Sequence, residues 1–79
     1  MDASEKYLIT SGLARLAARK PEMLTGCLRA LFSMNDEYAA LGIGMIMRSG
    51  GRDLLMQNDF LISNVERFHA IMGVSNEEP

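Results

Sequence analysis

Cys27 is the one thiol in this 79-residue chain and His69 the one imidazole, so together they could form a nucleophile and its base. Cys27, however, stands in the middle of an apolar stripe, where a cysteine usually serves as a small core residue. His69 flanks another apolar stripe and reads as a boundary residue. One cysteine and one histidine without ligand spacing do not make a zinc site either. Ser49, Gly50, Gly51 and Arg52 could cradle an anion on backbone N–H groups, but the run lacks the lysine of a phosphate loop and reads as a chain-reversing connector. These residues predict no catalytic site, no cofactor and no metal.

The elements that must carry these residues read as helices. Asp2 and Glu5 have the spacing of a capping box and open a first helix that runs to about Arg19. Leu8, Ile9, Gly12, Leu13 and Leu16 form its apolar arc, and Pro21 ends it. Pro21 and Glu22 suit the start of a second helix, with Leu24, Cys27, Leu28, Leu31 and Phe32 at i, i+3, i+4, i+7 and i+8.

Asn35 and Asp36 mark a turn and a new cap before a central helix from about Glu37 to Arg48. It contains residues 38–47, the longest run without a charge. That run is too short to cross a bilayer, which takes about 20 residues. Residues 41–47 could also be a buried strand, but no second strand exists to pair with it. Ala39, Ala40 and Gly44 would let another backbone approach the helix closely. A short helix at 52–57 follows the connector. Asn58 and Asp59 cap a last helix with the stripe Leu61, Val65, Phe68 and Met72, widened by Phe60, Ile62 and Ile71, which Gly73 and Val74 should close as a left-handed stop. The expected organisation is one all-α domain at 1–74, a compact bundle of four to five short helices, and a disordered polar tail at 75–79.

Net charge is −2, too mild to suggest nucleic-acid binding. Residues 1–34 carry five bases and three acids, whereas residues 35–79 carry three bases and seven acids, so the two halves attract one another weakly. Residues 25–42 have the layout of a helix-turn-helix, yet Asp36 and Glu37 would aim acids at phosphates. Absence of a leader, membrane run or second cysteine points to a cytoplasmic, reducing setting.

What remains is a non-enzymatic protein-interaction module, a regulator, adaptor, inhibitor or assembly subunit. A DNA-binding regulator or a minor enzyme subunit is the alternative. The central run offers apolar surface all round in a small chain, so part of it should meet a second copy or a larger protein. Its expected contacts are Ile43, Met45, Ile46 and Met47, rimmed by Arg48 and Arg52.

Overall fold

The computed structural model describes the backbone of residues 2–76, and within them every regular element is helical. Helix α1, Ala3–Arg19, opens with the capping box: Asp2 Oδ1 accepts from the Glu5 N–H at 2.8 Å, and Glu5 Oε1 accepts from the Asp2 N–H at 3.0 Å. Two backbone donors that a helix start leaves without partners are thereby satisfied. Pro21 begins a single tight turn, Pro21–Met23, rather than an α-helix, and α2, Leu24–Phe32, follows directly.

Asn35 caps α3, Asp36–Ile46, by accepting from the Tyr38 N–H at 3.3 Å. Residues 41–46 are therefore helical and not a strand. After Ile46 the chain passes through Met47–Gly51 and kinks at Gly50, whose φ of 89° favours glycine, before α4, Arg52–Met56. Asn58 caps α5, Asp59–Ser63, through the Leu61 N–H at 3.0 Å.

The last helix differs from expectation at both ends. At Asn64, φ −122° and ψ 35° break it into α5 and α6, Val65–Asn76, so the two form a kinked pair. Leu61, Phe68 and Ile71 of the expected stripe are buried, while Val65, the first residue after the break, is exposed. Among the described residues Gly50 alone adopts a positive φ, so Gly73 makes no left-handed stop and α6 continues to Asn76. Of the expected tail, Ser75 and Asn76 lie in α6, and residues 77–79 fall outside the described residues.

Helix α3 is the axis of the molecule. It contacts α1, α2 and α6, and buries Ala39, Ala40, Gly42, Ile43 and Ile46. Leu28 and Leu31 of α2, Leu55 of α4 and Ile71 of α6 complete the core with no exposed surface. Glycine is needed at position 42, because a β-carbon there would sit 2.6 Å from Leu31 Cδ2 and 3.2 Å from Thr10 Cγ2. Side chains of α1 and α2 thus press against the α3 backbone. Away from the apolar centre, Arg67 of α6 pairs with Asp36 and donates to the Phe32 carbonyl at 3.2 Å, tying α6 to the α2–α3 junction.

Candidate interaction surface

Helix α1 meets the core through its small residues. Thr10, Ser11, Ala14 and Ala17 are buried, and the two hydroxyls are satisfied: Thr10 Oγ1 donates to Met34 Sδ at 3.5 Å, and Ser11 Oγ to the Leu8 carbonyl at 3.2 Å. Short side chains on this face let α1 lie close to Gly42 of α3. The cost falls on the other face. Leu8 is 66% exposed and Ile9 42%, Gly12 is exposed with open space where a β-carbon would stand, and Leu13 and Leu16 are only half-buried. The apolar arc that the sequence offered to the core is therefore divided: Leu8, Ile9 and Gly12 face outward, while Leu13 and Leu16 still pack partly against the core.

The division follows from helix geometry, since at 100° per residue Thr10 and Leu8 lie about 160° apart and cannot both face α3. Close backbone packing along one side and large side chains on it are incompatible. A clue was present in the sequence: Thr10, Ser11, Ala14 and Ala17 form a small-residue stripe of helical period, and Ala39, Ala40 and Gly42 supply its counterpart.

Two of the expected partner contacts are corrected by burial. Ile43 is 0% exposed and Ile46 2%, each consumed by the chain's own core, because α1, α2 and α6 cover the central run that was expected to need a second chain. Met45 and Met47 are both half-buried and packed against that core. Gly44 is not the close-approach point either; the Arg48 guanidinium folds over it, 3.4 Å from where a β-carbon would stand. Arg48 and Arg52 are exposed. Met45 and Arg48 join Ser11, Ala14, Arg15 and Ser49 around an open groove of about 310 Å³ between α1 and the end of α3. Asp36–Arg67 is the one ion pair among the described residues, so Arg15, Arg19, Arg48 and Arg52 have no carboxylate within 4.0 Å there.

The chemically reactive residues are kept apart from one another. Cys27 is 2% exposed, and burial pushes its thiol above the ordinary range, against a smaller downward pull from a backbone hydrogen bond at Ala17. His69 is exposed on α6 with its ring 6.0 Å from Phe68, and among the described residues no hydrogen bond joins it to Cys27. Ser49 Oγ donates back to the Met45 carbonyl at 3.0 Å, which turns the connector's hydroxyl toward its own helix. No group of three or more metal-ligating side chains forms among the described residues. Helix α3 contacts α1, α2 and α6, and carries Asp36 and Glu37 in its first turn.

A native Cys27 should therefore react slowly with a disulfide reagent at neutral pH and reach the rate of a free thiol when the chain is unfolded. Because its folded-state pKa is the higher one, its contribution to stability is complete below about pH 8.5 and declines above it, as the unfolded chain ionises first. Rapid native labelling would show that the thiol is open.

No family model matches this chain, and no curated protein and no solved structure is similar enough to be matched with it. Among the described residues no helix is long and apolar enough to cross a membrane.

Proposed function

We propose that this chain is a small non-enzymatic interaction module whose working surface is the outer face of α1. The observation that carries this reading is the orientation of that helix: it buries Thr10 and Ser11 while leaving Leu8 and Ile9 in solvent. Exposed apolar residues are ordinary one at a time, but Leu8 and Ile9 stand together on one well-formed helix that also carries half-buried Leu13 and Leu16. Tyr7 is also exposed on α1, and the other exposed large apolar residues, Met23, Leu54, Met56, Ile62 and Val65, are distributed over four separate elements. An amphipathic helix on a preformed body binds another protein without first having to fold.

The test compares the wild-type chain with Leu8→Glu as baits in a lysate of the native host, with captured proteins quantified by mass spectrometry. The expected result is loss of the specifically captured set with Leu8→Glu, self-capture included, at unchanged helicity. An identical set from both baits would place binding on another face, and nothing captured by either would remove the reading.

A further inference from the structure

We infer that α1 pairs with α1 of a second copy in antiparallel register about a two-fold axis at Gly12, which rests on the reading of that helix as an interaction surface. Glu5, Leu8, Gly12, Leu16 and Arg19 fall within about 80° of arc at 100° per residue, on the side of α1 away from α3. Glu5, Leu8, Gly12 and Arg19 are exposed, and Leu16 is half-buried, one side of it packed against the core and the rest open to a partner.

Their order along the helix is self-complementary. Four residues before Gly12 stands Leu8 and four after it Leu16; seven before stands Glu5 and seven after it Arg19. Reversing one helix against another with the two glycines facing each other brings each Leu8 onto the partner's Leu16, and each Glu5 beside the partner's Arg19. A parallel arrangement would instead set Glu5 against Glu5 and Arg19 against Arg19. Two-fold symmetry makes each pairing occur twice, as an isologous interface requires.

The charges are available for this pairing. Arg19 has no carboxylate partner among the described residues, and Glu5 gives one oxygen, Oε1, to the capping hydrogen bond, leaving the other to accept from a guanidinium. At the axis, Gly12 has nothing within 4 Å of its would-be β-carbon, so two backbones can approach there. A 17-residue helix is about 25 Å long, and one face of it covers roughly a few hundred Å² per chain, below the usual ~800 Å². A pair of this size belongs with weak, readily exchanging interfaces.

Register is read by cross-linking. With a mild oxidant, Gly12→Cys is expected to form a disulfide-linked dimer, since the two positions meet at the axis within the ~7 Å that a disulfide spans. Leu8→Cys alone should not, because its copy lies about 12 Å away along the helix. Mixing Leu8→Cys with Leu16→Cys should restore cross-linking. Linking of Leu8→Cys to itself as fast as Gly12→Cys would overturn the antiparallel register.

Charge reversal supplies an independent measure by sedimentation. Glu5→Arg or Arg19→Glu should each weaken dimerisation about tenfold, and the two together should restore it. Loss of the helix cap alone would not be repaired by Arg19→Glu. A wild-type chain that stays monomeric at about 100 µM, or dimerises with no response to these changes, would overturn the inference. The interaction reading would then stand or fall separately, on the Leu8→Glu capture.

Discussion

Leu31→Ala is expected to remove about 2–5 kcal/mol of stability, and adding Gly42→Ala is expected to return part of it. Leu31 is fully buried and its δ-carbons fill the space above Gly42: a β-carbon at 42 would lie 2.6 Å from Cδ2 and 3.1 Å from Cδ1. In the wild-type chain, Gly42→Ala forces that leucine to shift within a packed core, which outweighs the ~1 kcal/mol that alanine offers over glycine in a helix. Once Leu31 is shortened the two closest contacts are gone and Thr10 Cγ2 at 3.2 Å is the tight one left, so the new methyl occupies part of the cavity and most of the helix preference is realised. A domain of 79 residues has only about 4–12 kcal/mol in total, so the single variant sits near the edge of folding. Urea denaturation of the four proteins measures the cycle. Additive effects, or a Gly42→Ala variant more stable than wild type, would mean that α2 and α3 do not press together at this point.

The second large effect concerns α1. Ala17 is 3% exposed and borders a small recess lined by Leu24, Ile46 and Leu54 together with Ser49, Gly50 and Gly51, so Ala17→Asp buries a carboxylate in largely apolar surroundings. The expected loss is about 3 kcal/mol or more at neutral pH, enough to unfold much of the population. Burial raises the pKa of such a carboxyl in the folded chain. Its penalty is present above that pKa and is relieved as pH falls through it, so acidification toward pH 4 should return helicity that neutral pH removes. Circular dichroism across this range checks both parts, and a variant as stable as wild type at pH 7 would show that Ala17 is not in the core.

How much of this was legible in the sequence depends on side-chain size. Helix α2 was readable nearly residue by residue, because Leu24, Cys27, Leu28 and Leu31 are large or sulfur-bearing, recur at helical spacing and are all buried. The caps at Asp2, Asn35 and Asn58 were readable too, since a short polar side chain before a helix has one dominant use. Helix α1 misled for the opposite reason. Its leucines are conspicuous, but the contact with α3 is made by backbone proximity through Thr10, Ser11, Ala14 and Ala17, and hydrophobicity does not register closeness of approach.

The contacts expected on α3 fail for a separate reason. One apolar stripe from each neighbouring helix, set against apolar surface all round the central run, leaves part of that run uncovered on paper and places Ile43 and Ile46 at a partner. In the fold α1, α2 and α6 cover the run and bury both isoleucines, and Leu8 and Ile9 of α1 are among the large apolar residues left outside. The break at Asn64 was hidden for another reason: the polar side chain that marks it, whose Nδ2 donates to the Phe60 carbonyl at 2.8 Å, also occurs on the solvent side of uninterrupted helices.

The central claim is that the outer face of α1 belongs to a partner and not to the fold, and the most direct measurement is urea denaturation of Leu8→Glu against wild type at submicromolar concentration. Glutamate preserves helix preference at this position, so only burial of the leucine is at issue. The two midpoints are predicted to agree to within about 0.5 kcal/mol, as for a surface substitution in an isolated chain. A loss of about 2 kcal/mol or more would return Leu8 to the core and contradict the account.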